Sequence, residues 1–415
     1  MADTMSTAFL SNAAGPQMYK NALALIGLWR EKARLAGGHP FAAIEDVKAA
    51  AMDIIWGATF GSQMNVSDEQ TKLLSGLGHI DQPADQEDEI VFPRATDPEG
   101  FKAVLTICDS VEIPAKALFP RIQHRWALRL FPSLRKAVAL KDQLIEDALN
   151  RAAKSFSVAA DDDDAVKCAL DLVVQREAQM AKKEGRTPKW NTPDIRDELF
   201  GFLVAGHDTS STSIQWAFKR LSDYQHVQDK LRAALRDAYP RAVTAGELPT
   251  AKEISAAKIP YLDAVIEEVH RGTSAVSIIM RVATVDTEVL GHRIPKGSDV
   301  FMMTQGPDFI MPSIPIEESK RSNTSRESKD KNGAWDQATI GDFDPERWLE
   351  KDSEGNDVFN SRAGPTMPFG AGPRGCFGTS PSITILMAKR SRSQNEKMLN
   401  LLSQVANWPN LRYAC

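Results

Sequence analysis

The stretch PFGAGPRGCFG, residues 368–378, sets four glycines, two prolines and one arginine around a single cysteine, Cys376. No helix or central strand accommodates that composition. Proline removes a backbone donor, and glycine gives up the most conformational freedom on folding. The segment must be an irregular turn, and whatever the chain folds into has to hold that turn and its one thiol. Three uses compete: a cradle for phosphate, a buried structural cysteine, and a thiolate offered to a metal.

Gly370, Gly372 and Gly375 match the G-x-G-x-x-G spacing of a dinucleotide loop. Such a loop needs a buried strand before it and a helix opening on its last glycine. Here SRAGPTMPF precedes it, with two prolines and no apolar run. A structural cysteine is a small buried hydrophobe, which leaves Arg374 and the flanking glycines unexplained. A metal-bound thiolate uses all of them. Its donor strength depends on backbone N–H groups aimed at sulfur. Glycine lets that backbone close in, and a helix opening just after the cysteine lowers the thiol pKa. The planar fork of Arg374 suits a carboxylate.

The rest of the chain supplies ample material for a core, with 415 residues, 42% of them hydrophobic and 25% charged. Fifty basic against 55 acidic residues, net −5, gives no footprint for nucleic acid. Cys108, Cys168, Cys376 and Cys415 lie far apart with no Cys-x-x-Cys, so no disulfide framework is expected and a reducing compartment fits. No apolar run reaches spanning length. ALALIGLW, residues 22–29, stops at REKAR, and the N-terminus lacks the basic lead-in of a secretory signal. As written, the chain is expected to be soluble.

Periodicity predicts helices over 16–36, 41–61, 99–115 and 133–156, with a polar loop over 62–98 and a solvated acidic run at 161–164. The clearest helix start follows: Thr192 as N-cap, Pro193 at the first helical position and Asp194 against the dipole, opening a helix over 192–221. Shorter helices are expected at 223–238, 251–257 and 260–271. Residues 277–303 then change period, with β-branched runs broken at Gly291 and at Pro295-Lys296-Gly297, which reads as short hairpin strands. A polar loop is expected over 312–340. With no repeat and no clear linker, residues 1–415 are expected to form one mainly α domain with a minor β-region.

The pattern F-G-x-G-x-R-x-C-x-G, filled by Phe369, Gly370, Gly372, Arg374, Cys376 and Gly378, resembles the haem-binding loop of the cytochrome P450 monooxygenases, of the eukaryotic, fungal-like kind. Three further elements follow in the family's order. AGHDTS, 205–210, lies in the long helix and resembles the oxygen-binding segment. There the small residues Ala205 and Gly206 would leave room for dioxygen, and Asp208 and Thr209 would deliver protons for O–O cleavage, chemistry that needs positioned donors and little water. EEVHR supplies Glu268 and Arg271 on one helical face. With Arg347 of FDPERW, it resembles the E-x-x-R helix and its partner, a buried network holding the cysteine loop. Arg281 stands where the family has a propionate-binding arginine. Each element has a blander reading on its own: a helix with one polar face, a surface ion pair worth little, a sheet-edge arginine.

The resemblance implies haem b bound through Cys376, electrons from an NADPH-dependent cytochrome reductase, and oxygen insertion from dioxygen into an apolar small molecule. It covers 16–378. The family's membrane anchor, first strands and W-x-x-x-R helix find no counterpart, and residues 379–415, with Pro381 where an apolar helix should run, diverge. A fold incomplete at both ends is therefore expected, as from a truncated or mis-spliced reading of a longer gene. Full-length relatives are usually anchored to the endoplasmic reticulum. Two alternatives stay open: a product impaired in haem binding or catalysis, and a haem-thiolate isomerase acting on peroxides, which would not need the Asp208–Thr209 pair.

Overall fold

The structure, a computed structural model, describes residues 9, 13–110, 113, 119–158, 166–329 and 333–376. The acidic run at 161–164, Gly378 and the tail 379–415 lie outside the described residues. The chain divides into two compact units, Met1–Ser211 and Thr212–Cys415.

Among the described residues the first unit is all helix: α1 (Gly15–Ala36), α2 (Ile44–Phe60), α3 (Val66–Ser75), α4 (Glu99–Asp109), α5 (Pro120–Leu130), α6 (Pro132–Val158), α7 (Ala169–Glu184) and the first two-thirds of α8 (Pro193–Asp223). Helix α2 is its centre. Every residue from Asp46 to Phe60 except Lys48 is buried, so beyond its first turn α2 has no solvent face, as a central core helix must. Alanines make that packing possible, and Gly61, in the left-handed conformation at φ 68°, ends it. Met52, Ile55, Trp56 and Phe60 meet Phe101 and Val104 of α4, Ile145 and Leu149 of α6, Leu170 and Val174 of α7, and Leu199 and Leu203 of α8.

Helix α1 is tied to α2 by a buried polar knot. Trp29 Nε1 donates to Asp46 Oδ2 at 2.9 Å, and Lys32 Nζ donates to both Asp46 oxygens at 2.7 and 2.8 Å. Burial raises the Asp46 carboxyl above its ordinary range, and Lys32 and Trp29 pull it back. The ammonium also faces Phe41 and Phe92, 5.4 and 5.2 Å from the ring centroids.

Helix α3 falls inside the expected loop 62–98. Its first amides, Val66 N and Ser67 N, donate to Asp53 of α2 at 3.1 and 3.0 Å. The cap comes from another helix, and a local reading of 62–75 contains no sign of it. Helices α5 and α7 fall outside the expected helices as well: Pro120 and Pro132 bracket α5, and α7 starts just past the acidic run.

The second unit runs from the end of α8 through α9 (Gln225–Ala238), α10 (Pro240–Ala245), α11 (Ala251–Ala256) and α12 (Pro260–Gly272). Thr250 and Glu253 form a capping box at α11. Strands then pair antiparallel as expected: β1 (Ile278–Val282) with β4 (Asp299–Met303), and β2 (Thr287–Val289) with β3 (His292–Ile294). Ile278, Met280 and Val282 share one face of β1, opposite Met303, Phe301 and Asp299, and all five apolar residues are exposed. A turn of helix, α13 (Asn323–Lys329), interrupts the expected loop 312–340. A last hairpin, β5 (Leu349–Lys351) with β6 (Asp357–Phe359), leads to the cysteine loop.

Gly206 shows why α8 lies so close to α2. A Cβ there would stand 2.5 Å from Ile55 Cδ1 and 2.7 Å from Cγ1. Replacing Gly206 with leucine is expected to destabilise the first unit by about 1–3 kcal/mol through overpacking, read as a lower denaturant midpoint. An unchanged midpoint would mean the helices separate freely at that contact.

Candidate functional site

The cysteine loop closes on itself. Cys376 N donates to Phe369 O at 2.8 Å, Gly375 N to Gly372 O at 2.9 Å, and Gly370 N to Met367 O at 3.3 Å. Gly370 and Gly372 take φ of 68° and 69°, a region that side chains rarely adopt. Residues Gly372–Arg374 make one 3-10 turn. Cys376 forms no disulfide and is exposed. No strand leads directly into this loop, which removes the dinucleotide geometry. The thiol is not a buried hydrophobe either, because it faces outward.

Helix α12 supports the loop from two sides. On one, Glu268 is fully buried and gathers donors. Arg271 Nε and Nη2 donate to it at 2.8 and 2.7 Å, Trp348 Nε1 at 2.9 Å and Asp344 N at 2.9 Å, while Arg347 Nε lies 3.3 Å away. The leftover guanidinium donors reach carbonyls of 309–342: Arg271 to Ile340 O and Asp342 O, Arg347 to Thr339 O. Both guanidiniums stack 5.5 Å from the Trp335 ring centroid. Trp335 Nε1 in turn donates to Pro365 O at 2.8 Å, and its ring fills the space a Gly364 side chain would need. The network therefore grips the strip of chain that enters the cysteine loop. Glu268, Arg271 and Arg347 come together, the grouping the resemblance implies. Trp335 was missed because nothing in its neighbourhood marks it, whereas Trp348 stood in the quoted FDPERW.

On the other side His270 is 5% exposed, and its ring sits edge-on to Phe369, centroids 5.0 Å apart at 81°. Neither ring nitrogen has a hydrogen-bond partner among the described residues. Burial pushes its pKa down to about 4. The same Phe369 carbonyl closes the loop on Cys376, so α12 reaches the thiol through one aromatic contact.

Arg281 lies on β1 opposite Val300, with an exposed guanidinium. It shares a strand face with Ile279, whose Cδ1 stands 3.4 Å from where a Gly370 Cβ would be. That contact brings the Arg281 face of β1 against the cysteine loop. Arg374 is exposed as well. Neither arginine pairs with a carboxylate among the described residues.

Ala205, Gly206, Asp208 and Thr209 lie in the first unit, in the middle of α8. Ala205, Asp208 and Thr209 share one exposed face. Thr209 Oγ1 donates back to Ala205 O at 2.7 Å. Gly206 points the other way, to Ile55. His207, which no motif role singles out, is 1% exposed, with Nδ1 2.9 Å from Asp208 Oδ1. Its proximity, with a smaller pull from Lys48, holds the Asp208 carboxyl below its ordinary range. The Cys108 thiol is pushed up to about 12 by burial and by the Asp208 charge, so it stays protonated and unreactive.

The cytochrome P450 family model matches residues 3–306 and 335–383. Two fungal relatives are cytochrome P450 monooxygenases. GME11363 of Pestalotiopsis microspora is 42% identical, covering 91% of this chain and 66% of that one. TRI13 of Fusarium sporotrichioides is 33% identical, covering 93% and 70%. The fold matches the crystal structure of the cytochrome P450DA haem domain with a TM-score of 0.61 and 18% identity, over 97% of this chain and 68% of that one. The chain belongs to the cytochrome P450 family, whose cofactor is haem, and spans about two thirds of the length of these relatives.

The donor set fits that cofactor. Among the described residues no cluster of three His, Cys, Asp or Glu gathers as a metal site, and an exposed lone thiolate suits a metal that arrives with its other ligands in a porphyrin. The exposed guanidiniums of Arg374 and Arg281 meet no carboxylate among the described residues, Arg281 Nη1 donating instead to Met280 O at 2.9 Å, and their planar forks are suited to two carboxylates.

His270 carries a pH prediction. The native ring resists protonation to about 4 while the unfolded chain takes up a proton near 6.5. Stability is therefore full above pH 6.5 and falls as pH drops toward 4, by about 3 kcal/mol in all at 1.36 kcal/mol per pKa unit. Equilibrium unfolding of the wild type and of His270→Leu between pH 7.5 and 4.5 should show a shallower loss in the variant. Parallel curves would place the acid sensitivity elsewhere.

Proposed function

We propose that this chain is a haem-thiolate monooxygenase that takes electrons from an NADPH-dependent reductase and inserts one oxygen atom of dioxygen into an apolar small molecule. Bound haem supplies the oxygen activation and the oxidising power. The observation that carries the reading is the self-closed loop with an outward thiol, set in a chain of this family.

Each residue has a defined task. Cys376 would hold the metal as thiolate, and the loop hydrogen bond from its own N–H to Phe369 O fixes the backbone that presents it. Arg374 and Arg281 would pair with the cofactor's carboxylates. Glu268, Arg271 and Arg347 hold the approach to the loop and touch no reactant. Asp208, its carboxyl held below the ordinary range beside His207, would take up protons transiently from solvent, and the neighbouring Thr209 hydroxyl would pass them on. Ala205 keeps that face of α8 low.

The test is the reduced protein with carbon monoxide. A strongly red-shifted Soret band marks thiolate ligation, and Cys376→Ser abolishes that band while leaving far-UV circular dichroism unchanged. A wild type without the band, or a serine variant that keeps it, overturns the ligand assignment.

Asp208→Asn is expected to lower product formation by about 10²-fold, the lower range for loss of a positioned proton donor, with substrate affinity retained. Equal losses in turnover and affinity would make Asp208 a structural residue.

A further inference from the structure

In the first unit the core-facing stripe of α8 runs Leu203, His207, Ser211, at i, i+4 and i+8, each 2% exposed or less. An imidazole is a poor filler for that stripe. Leucine would leave no polar atom to satisfy, whereas an orphaned buried nitrogen is destabilising and calls for a physical reason. His207 Nε2 has no hydrogen-bond partner among the described residues. Nδ1 comes within 2.9 Å of Asp208 Oδ1, without the alignment of a finished hydrogen bond. Successive residues of a helix point about 100° apart, so the pair straddles the boundary of the core. The ring is shut away from water while the Asp208 side chain is 61% exposed.

The chemistry of that approach decides where the ring carries its hydrogen. The Asp208 carboxyl lies below its ordinary range and is ionised at neutral pH, and an ionised carboxylate can only accept. A neutral ring nitrogen 2.9 Å from it is therefore the donor, and the other nitrogen is the bare one. The other groups that act on the pair are Lys48 of α2 and, from α4, Cys108, which feels the charges of Asp208 and Asp109. Lys48 Nζ has its ion-pair contact with Glu45, at 3.4 Å, so the close contact of the Asp208 carboxylate among the described residues is His207.

We infer that His207 is a positioning residue for the proton step: its neutral ring donates from Nδ1 to Asp208 Oδ1, which turns Oδ2 to solvent as the oxygen that takes up protons. Being buried, the ring is a fixed donor and not a shuttle. The use made of the proton rests on the monooxygenase reading; the tautomer does not.

Nitrogen-15 NMR of the imidazoles in the full chain at neutral pH reads the tautomer without haem. The resonance that His207→Leu removes is expected to be of the Nδ1–H form, and Asp208→Ala is expected to move it to the Nε2–H form. An Nε2–H ring in the wild type, or a tautomer indifferent to Asp208→Ala, overturns the proposal. The second arm is NADPH-driven oxygen consumption by the haem-loaded chain with cytochrome reductase. His207→Leu removes the donor and fits the stripe, so it should melt at or above the wild-type temperature yet be slowed about 10-fold, short of the roughly 10²-fold expected when the acid itself is lost. His207→Asn, whose amide nitrogen can stand in the place of Nδ1, should recover most of the rate while melting lower. A role in packing alone gives the reverse order, with the leucine variant active and the asparagine variant impaired, and that order overturns the proposal. A wild type with the Nδ1–H tautomer but neither oxygen consumption nor a thiolate carbon monoxide band overturns the monooxygenase reading and the proton role with it, leaving the tautomer standing.

Discussion

The buried carboxylate of Glu268 is the constraint on which the cysteine loop depends. A charge removed from water costs several kcal/mol and is tolerated only when opposite charge and hydrogen bonds replace the solvent. Here Arg271, Arg347, Trp348 and the Asp344 amide do so together. The guanidinium donors left over are satisfied by carbonyls of 309–342, and Trp335 passes the order on to Pro365. Such an arrangement is weak evidence for net stability. Its consequence is geometric: a loop rich in glycine acquires one conformation from outside itself.

His270 adds a second support with different physics. A leucine would pack there with no polar atom to satisfy. The histidine keeps two nitrogens without a partner among the described residues and gains an edge-on ring against Phe369; edge-to-face aromatic pairs contribute about 0.5–1.5 kcal/mol beyond area burial. One helix thus fixes both the approach to the thiol and the aromatic residue that opens its loop. The acid and hydroxyl groups belong to the other unit. There, buried His207 lies beside Asp208 and lowers its pKa, while Asp208 and Thr209 stay on the surface of α8.

Much of this was legible in the sequence because it rests on local spacing. The turn around Cys376 follows from its glycines and prolines, the pairing of Glu268 with Arg271 from i, i+3, and the start of α8 from Thr192, Pro193 and Asp194. What escaped depends on partners far along the chain. Asp53 caps α3 from α2, and Trp335 joins the Glu268 network from across the second unit. Neither residue carries a mark in its own neighbourhood. Gly206 shows a third kind of limit. Its lack of a side chain was legible, and the resemblance attached it to dioxygen; the close approach of Ile55 that the missing side chain also permits was not legible.

Hydrogen exchange of the loop amides in the wild type and in Glu268→Gln tests the central dependence most directly. The substitution keeps the shape of the side chain and removes the charge that holds two guanidiniums. The account predicts that Gly370, Gly375 and Cys376 exchange markedly faster in the variant while the amides of α2 are unaffected. Loop amides that exchange at the wild-type rate would show that the cysteine turn holds its shape without the buried carboxylate.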